Sequence, residues 1–445
     1  MDESFVISSS CNLLFIINCQ LSINMNLYIF NELSKAAVYG IGTCIRELTK
    51  ALQKSHINVC AVNLFSDKPQ IQIEEADGIR LWYFPAAIPE RRTIEHKKQN
   101  ELYYTNVVYL LQLYIEEKTD LIFHLNYNHS VKLAEELKRV FDCRIVTTIH
   151  YLDWALGVFG NVAYFRKIVS MPKAEYNDEK KQKIEESYRN EQMFFETVDH
   201  IICLSENTRQ ILQNDYQLIP DKISVIYNGL TDGRLTFDKR TLRQKYHIPD
   251  IPVIIFAGRL EDIKGLAYAL RAFRIVLNSL PHCHFIIAGK GSFDTYLKEC
   301  EDIWMHITWT GLINKDKLYE LYQIADVGVM PSLYEPFGYV AVEMMMHGLP
   351  LVATATSGLN EVVDDTCGLK ISLIEQPDRV EIDIDLLAEK IIYLLQHPEE
   401  ARKMGRNGRK RYLKEYTSEV FRRNMLNFYQ SLYTDDTQNN TSNLV

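Results

Sequence analysis

The stretch LYEPFGYVAVE at residues 333–343 joins the end of a loop to the start of an unusually apolar helix. The apolar run at residues 327–330 just before it has the length and composition of a buried strand. The helix is predicted to run from near Phe337 to His347, with Gly348 as its C-cap. A strand, a loop and a helix in this order form the repeating unit of parallel sheets that are covered by helices.

Two carboxylates flank the start of this helix. Glu335 lies in the loop, and Glu343 lies about two turns inside the helix. Gly338 permits close approach to the backbone, and the free amides around Phe337 and Gly338 favour an anion. Glu343 has apolar neighbours in the helix, so burial of its carboxylate is costly unless it has a partner. A diol on a ligand is a suitable partner, because one carboxylate accepts two hydroxyl hydrogen bonds. The alternative is that Glu343 is a surface helix residue.

Two cations follow another predicted strand. The stretch FAGRLEDIKG at residues 256–265 comes after the strand at residues 253–257 and opens a helix. Arg259 and Lys264 therefore lie at the carboxyl end of a strand, where ligands of open α/β sheets bind. A guanidinium fork and an ammonium can together hold a diphosphate there. Taken singly, each of the two is a weak signal, and a surface cation is the better interpretation of either one alone.

Short apolar runs alternate with helical patterns over nearly the whole chain, which predicts an α/β protein with two doubly wound, Rossmann-like domains. A chain of 445 residues suits two domains of about 200 residues each. The predicted strands cover residues 13–17, 59–65, 79–84, 121–124, 145–149, 200–204, 223–226, 253–257, 284–288, 307–310, 327–330 and 351–353. The predicted division of the chain is a first domain at residues 1–230, a second at 231–416, a last helix at about 417–433 and a flexible tail at 434–445.

The composition excludes several classes of protein. The formal net charge of −9 disfavours a nucleic-acid binder, although a local basic patch would still allow peripheral contact with a membrane. No apolar run reaches the roughly 18 residues that a membrane span needs. Asp2 and Glu3 are acidic where the start of a secretory signal is basic. The nine cysteines are dispersed, without the spacing of disulfide pairs or metal ligands. These features predict a cytoplasmic protein with reduced thiols, either free or peripheral at the inner face of the membrane.

The ordered set Gly258-Arg259, Lys264-Gly265, Glu335 and Glu343 resembles the GT-B retaining glycosyltransferases of family 4. The resemblance covers most of the chain and is sharpest between residues 223 and 368. Further matching pieces are YNG at 227–229, AGKG at 288–291, ADV at 325–327 and SGLNEVV at 357–363. The resemblance implies two facing Rossmann-like domains, with the last helix crossing back to pack on the first domain.

The resemblance also implies roles for single residues. Arg259 and Lys264 would hold the donor diphosphate and stabilise it as it leaves. Glu343 would bind the ribose hydroxyls, and Glu335 would contact the donor sugar. The remaining donor-binding positions that it implies are Gly258, Gly289, Gly291, Phe337 and Gly338.

The first half of the chain resembles the family less. His150 follows a predicted strand where the family often has a histidine near the donor sugar; the alternative is a strand-end histidine with a backbone partner. Gly40 and Gly42 open a helix and would approach the phosphates. In the family this turn follows the first strand closely, whereas residues 18–39 separate it here from the strand predicted at 13–17.

Two further segments have competing interpretations. Residues 151–189 lack a strand pattern, and they are either an ordinary helical insertion or a lid or acceptor-binding element. Asp383 and Asp385 form the Asp-x-Asp pattern of metal-dependent glycosyltransferases of another fold. Because the pair directly precedes a predicted helix, helix capping is the better interpretation, and no metal or other cofactor is expected.

The expected activity is metal-independent, retaining transfer of a hexose-type sugar from a nucleotide-sugar, UDP-linked by family resemblance, by a front-face mechanism. The acceptor is a hydroxyl on a glycan, a lipid-linked glycan, a peptide or a small molecule. Two alternatives share the fold. One is a nucleotide-sugar epimerase, and the other is a non-catalytic protein that binds nucleotide-sugars.

Overall fold

The computed structural model describes residues 25–32, 40–53, 55–76, 78–86, 94–128, 130–172, 178–234 and 237–442. The strand predicted at residues 13–17 lies outside these ranges. Two parallel sheets covered by helices make up the described chain, which confirms the predicted α/β, doubly wound fold class.

The first sheet has the strand order β3-β4-β2-β1-β5-β6-β7-β8. Its pairs are parallel except for the β3–β4 hairpin at one edge. The strands are β1 (Asn26–Glu32), β2 (Asn58–Ser66), β3 (Gln72–Ala76), β4 (Ile79–Pro85), β5 (Leu121–Leu125), β6 (Cys143–Ile149), β7 (His200–Cys203) and β8 (Ile223–Val225).

The second sheet has the order β11-β10-β9-β12-β13-β14, and all its pairs are parallel. Its strands are β9 (Val253–Ala257), β10 (His284–Ala288), β11 (Ile307–Gly311), β12 (Val327–Met330), β13 (Leu351–Thr354) and β14 (Gly368–Ile371). A separate antiparallel hairpin consists of β15 (Leu373–Glu375) and β16 (Val380–Ile382). The direction of winding reverses between β9 and β12, and such a switch point opens a crevice for ligands at the carboxyl ends of the strands.

The helices that cover the sheets are α1 (Gly40–Leu52), α2 (Ile94–Tyr114), α3 (Val131–Val140), α4 (Asp153–Gly157), α5 (Val162–Val169), α6 (Glu179–Thr197), α7 (Glu206–Asp215), α8 (Lys239–Lys245), α9 (Leu266–Ser279), α10 (Asp294–Leu297), α11 (Lys315–Ile324), α12 (Tyr339–Met346), α13 (Leu359–Val362), α14 (Ile384–Gln396), α15 (Pro398–Glu415) and α16 (Ser418–Ser442). The segment predicted as an insertion forms α4, α5 and most of α6.

The last helix, α16, packs against α1 and the first sheet. Its apolar side chains join one buried cluster with residues of β1 and α1; on α16 these are Phe421, Met425, Phe428, Tyr429 and Leu432. The Tyr429 hydroxyl lies 2.6 Å from Nδ1 of His124, which lies on β5. The helix continues to Ser442, beyond its predicted end. The chain thus returns from the second sheet to the first, as the resemblance implies.

The start of the first sheet differs from the prediction. The first described strand is β1 at Asn26–Glu32, and all seven of its residues are buried. Two short apolar runs compete in this region of the sequence, and periodicity alone does not rank them. Because β1 ends at Glu32, only residues 33–39 separate it from Gly40. Counted from β1, the glycine turn therefore follows its strand closely, as in the family that the chain resembles.

Candidate active site

A cavity of about 570 Å³ lies between the two sheets, at the carboxyl ends of their strands. Residues that follow β6 and β7 line it from the first sheet, and residues that follow β9, β10, β11 and β12 line it from the second. The sequence-predicted residues that line this cavity are Gly40, His150, Gly258, Arg259, Lys264, Gly289, Glu335, Phe337, Gly338 and Glu343. The fold thus brings ten of the twelve predicted site residues to one cavity.

The other two predicted residues, Gly42 and Gly291, do not line the cavity. Gly42 is buried in the first turn of α1. Gly291 packs on Leu260, since a Cβ on Gly291 would lie only 2.4 Å from the Leu260 carbonyl oxygen. The structure thus places Gly42 and Gly291 away from the residues that line the cavity, and their donor-binding roles stay predictions.

Lys264 and Glu335 form an ion pair at the wall of the cavity. Lys264 Nζ lies 2.6 Å from Glu335 Oε2, and the two side chains are only 18% and 15% exposed. Arg259 is more open to solvent, and its Nη1 lies 2.8 Å from Glu261 Oε1. Both predicted cations lie at the switch point of the second sheet, where a bound anion would compete with Glu335 and Glu261 for them.

The loop that carries Glu335 ends at Gly338, which precedes α12. Gly338 has a φ of 98°, in the left-handed region that glycine adopts without strain. The helix begins at Tyr339, two residues later than predicted, because Phe337 and Gly338 belong to this turn. The helix α12 begins at the cavity, and the backbone amides of a helix start favour an anion.

Glu343 is buried, with 1% of its surface exposed. The Tyr322 hydroxyl donates a hydrogen bond of 3.1 Å to Glu343 Oε2, and Lys315 Nζ contacts Oε1. Burial and the neighbouring Glu343 raise the pKa of Tyr322 well above its usual value. The surface interpretation of Glu343 was wrong, and the partners that its burial requires come from α11.

Lys315 was missed in the sequence, although it too lines the cavity. It is the first residue of α11 and follows β11 closely. The rule that singled out Arg259 and Lys264, a cation after the carboxyl end of a strand, also finds Lys315 once the loop after β11 is included.

His150 lies after β6 and is 9% exposed. Its Nε2 lies 3.0 Å from Oδ1 of Asn126, whose own Nδ2 donates to the Phe30 carbonyl oxygen at 3.1 Å. The bond to Phe30 fixes the orientation of the amide, so His150 Nε2 carries the hydrogen and Nδ1 is the acceptor. Burial lowers the pKa of His150 to about 3, so the ring is neutral near pH 7. The partner is a side chain rather than the backbone.

Asn228 lies at the predicted join of the two halves and was matched in the sequence only as part of YNG. It is 1% exposed, and its Oδ1 accepts a hydrogen bond of 3.1 Å from Cys44 Sγ on α1. Its Nδ2 has no hydrogen-bond partner among the described residues. Asn228 lines the cavity, so a polar ligand atom can satisfy this amide.

The capping role predicted for Asp383 is confirmed, and the structure shows a second cap at Ser205. The Asp383 carboxylate accepts the Leu386 amide at 2.9 Å at the start of α14, and Ser205 accepts the Thr208 amide at 3.2 Å at the start of α7. The Asp-x-Asp pattern is therefore a helix cap, away from the residues that line the cavity. Within the described ranges, no group of three His, Cys, Asp or Glu side chains is arranged to hold a metal ion.

Two family models match the chain, one on each side of the cavity. The model described as Glycosyltransferase Family 4 matches residues 38–234, and the model described as Glycosyl transferases group 1 matches residues 238–411. An uncharacterized glycosyltransferase of Methanocaldococcus jannaschii is 34% identical over 172 residues, which are 37% of this chain and 44% of that protein. The chain spans about half the length of the curated relatives it matches.

Solved structures share the whole architecture. Sucrose-phosphate synthase from Thermosynechococcus elongatus has a TM-score of 0.72 at 21% identity, over 93% of this chain and 100% of that chain. Anabaena HepE in complex with UDP and glucose has a TM-score of 0.66 at 16% identity, over 92% of this chain and 100% of that chain. At these identities the likeness shows the fold, which is GT-B.

Proposed function

The chain belongs to the family 4, group 1 glycosyltransferases with the GT-B fold, and on this premise we propose that it moves a hexose-type sugar from a UDP-sugar to an acceptor hydroxyl. We further propose that the anomeric configuration is retained and that no metal is required. The observation that carries the proposal is the convergence of Arg259, Lys264, Glu335 and Glu343 on one cavity between the two sheets.

In the proposed complex, the diphosphate lies between the two cations and the start of α12. Arg259 and Lys264 supply full positive charges there, and the amides of the helix start add a partial one. On the other side, α1 begins at Gly40, which also lines the cavity. Charge from both sheets can thus replace a metal ion in neutralising the leaving group.

The two carboxylates bind the other two parts of the donor, the ribose and the sugar. Glu343 accepts the ribose hydroxyls, with Tyr322 and Lys315 orienting its carboxylate. Glu335 accepts hydroxyls of the sugar once the diphosphate draws Lys264 away from it. The neutral His150 lies on the opposite wall and offers an acceptor nitrogen to a sugar hydroxyl.

The proposed step is a front-face substitution. The bond between the anomeric carbon and the diphosphate oxygen breaks while the acceptor oxygen bonds to the same face of the anomeric carbon. The acceptor proton passes to a diphosphate oxygen, so no protein base is consumed. Arg259, Lys264 and the α12 amides stabilise the charge that develops on the leaving group, a term that is often the largest in catalysis.

The choice of UDP has one specific support. HepE, which shares the fold over 92% of this chain, was solved with UDP and glucose.

The acceptor enters from the side of the first sheet in this proposal, and its class stays open between a glycan, a lipid-linked glycan, a peptide and a small molecule. None of the described helices is both long and apolar enough to cross a bilayer. We propose action in the cytoplasm, with peripheral membrane contact as an added possibility for a lipid-linked acceptor.

The test is a panel of nucleotide-sugars scored by thermal shift, followed by analysis of the products by NMR. The cognate donor is expected to raise the melting temperature by mass action, even without an acceptor. Slow release of UDP and free sugar, unchanged by EDTA, supports a metal-independent transferase. Formation of a new epimer without an acceptor would support an epimerase instead, and binding without turnover on any acceptor would support a binding protein.

A further inference from the structure

The segment SGLNEVV at residues 357–363 matches the family but has no part in the donor site described above. It leads into α13, and its Glu361 reaches across to the first sheet. Glu361 Oε2 accepts the backbone amide of Glu206, and Oε1 accepts that of Asn207, each at 2.8 Å. One carboxylate of the second half therefore binds two backbone amides of the first.

These two amides belong to the first turn of α7, directly after β7. Ser205 caps the same helix through the Thr208 amide, and it leaves the amides of Glu206 and Asn207 without an intrahelical acceptor. A carboxylate is favoured at a helix N-terminus by the aligned peptide dipoles. Tyr227, at the join of the two halves, donates a third hydrogen bond of 3.1 Å to Glu361.

The same segment also contacts the loop that carries Glu335. The Leu359 amide donates to the Glu335 carbonyl oxygen at 3.1 Å. Gly358 packs directly on this loop, since a Cβ there would lie 1.9 Å from the Pro336 carbonyl oxygen. Residues 357–363 therefore contact the loop that carries Glu335, called the donor loop below, on one side. On the other side they contact α7, which covers the first sheet.

We propose that Glu361 is a positioning residue that latches the two halves together and couples their closure to the donor loop. In this proposal the bonds to the α7 amides break when the halves open, because opening returns the carboxylate and both amides to water. The part of the inference that concerns the donor rests on the proposed function. The latch itself does not.

Two substitutions remove the latch from opposite sides. Glu361→Gln keeps the size of the side chain and removes its charge. Glu206→Pro removes one of the two amides, and proline is well tolerated at the first position of a helix. Ser205 is extended, with φ −159° and ψ 154°, as a residue before proline prefers. Glu206→Ala is the matched control, since it alters the same side chain and keeps the amide.

Small-angle X-ray scattering of the full-length protein without ligand measures the latch directly. Both latch variants are expected to be more open than wild type, with a radius of gyration larger by about 1 Å on a scale of about 22 Å. Glu206→Ala and the exposed-site control Glu301→Gln are expected to match wild type. Equal radii for all five proteins, with unchanged circular dichroism, would overturn the latch whatever the protein binds.

Kinetics then measure the coupling to the donor. Because donor binding restores closure, the latch variants are expected to raise KM for the donor, or Kd for UDP, by about 10-fold and to change kcat at saturation by less than about 2-fold. A lower melting temperature with unchanged KM and Kd would mean that Glu361 only caps α7, and it would overturn the coupling. If wild type neither binds nor turns over any nucleotide-sugar, the proposed function fails, while the scattering result still decides the latch.

Discussion

At the scale of single residues, the main feature of the site is that its charges already have partners. Lys264 is paired with Glu335 across 2.6 Å, and Glu343 is held by Tyr322 and Lys315. Each pair keeps a half-buried or buried charge compensated, which limits the cost of burying it. In the proposed function we therefore expect ligand binding to be an exchange of partners, in which the diphosphate takes the cations and the hydroxyls of the donor take the carboxylates.

Loss of either diphosphate cation is expected to slow the chemical step. Lys264→Ala and Arg259→Ala should each lower turnover by at least ~10²-fold, by analogy with the loss of one preorganised donor at a developing negative charge. Initial rates of UDP release check this, with the exposed Lys298→Ala as the control. Near-normal turnover in both variants would remove the two cations from the mechanism.

The role of Glu343 can be separated from that of the cations by using the ribose itself. Wild type is expected to bind UDP about 10-fold more tightly than 2′-deoxy-UDP, because a hydrogen bond to a charged group is lost with the hydroxyl. Glu343→Gln should reduce this preference to under ~3-fold, as measured by calorimetry. Tyr322→Phe keeps the carboxylate and should keep most of the preference. A full preference in Glu343→Gln would place the ribose elsewhere.

At the scale of elements, the helices α4 and α6 support the loop that follows His150. Glu191 on α6 is fully buried, and it accepts hydrogen bonds from the Asp153 amide at 2.6 Å, the Tyr216 hydroxyl at 2.5 Å and Asn128 Nδ2 at 3.2 Å. Asn128 Nδ2 also donates to the Tyr151 carbonyl oxygen at 2.6 Å. The helical insertion is thus tied through Glu191 to the residues beside the cavity.

Burial, followed by the nearby Asp153, raises the pKa of Glu191 from 4.5 to about 8. Since the folded-state pKa is the higher one, the folded protein holds a proton that the unfolded chain loses, and this stabilisation declines as the pH rises from about 4.5 to about 8. Glu191→Gln removes the titration, so its free energy of unfolding relative to wild type should rise by roughly 2–4 kcal/mol between pH 5 and 8.

Urea unfolding at several pH values measures this difference. Glu196→Gln is the matched control, because Glu196 is an exposed carboxylate on the same helix. Parallel curves for wild type and Glu191→Gln across this range would show that Glu191 stays ionised in the folded protein.

The sequence predicts some elements much better than others. Strands of the second sheet such as β9 and β10 are continuous apolar runs bounded by polar residues, and their predicted limits match the structure. The hairpin strands β3, β15 and β16 were missed because they are short or mostly exposed and lack an apolar pattern. β1 was missed because a second apolar run, at residues 13–17, was taken as the first strand, and that run lies outside the described residues.

The site shows the same contrast. Arg259, Lys264, Glu335 and Glu343 are recognisable because their spacing places them after strand ends or at a helix start. Tyr322 and Asn228 act through contacts between elements that are distant in the chain, and no local sequence pattern indicates such contacts. Lys315 was missed only because the loop after β11 was not included in the search for cations after strand ends. Glu361 stood in a matched motif, yet its partners on α7 become visible only in three dimensions.

At the scale of the whole molecule, the cavity exists because the carboxyl ends of the two sheets face each other. The return of α16 to the first sheet and the bonds of Glu361 to α7 both hold this arrangement. The residues proposed to bind the donor, Arg259, Lys264, Glu335 and Glu343, belong to the half of the chain that contains the second sheet. His150 and Gly40, which also line the cavity, belong to the half that contains the first sheet. Both halves therefore line the cavity, and we expect their closure to complete the site, as in enzymes that exclude water from the reaction by closing.

A crystal structure with the nucleotide that gives the largest thermal shift in the panel tests most directly whether this cavity binds the nucleotide-sugar donor. We expect a diphosphate within hydrogen-bond distance of Arg259 and Lys264, with the ribose hydroxyls on Glu343. The Lys264–Glu335 ion pair should be opened in that complex. A nucleotide bound elsewhere, or a diphosphate that touches neither cation, would contradict the account.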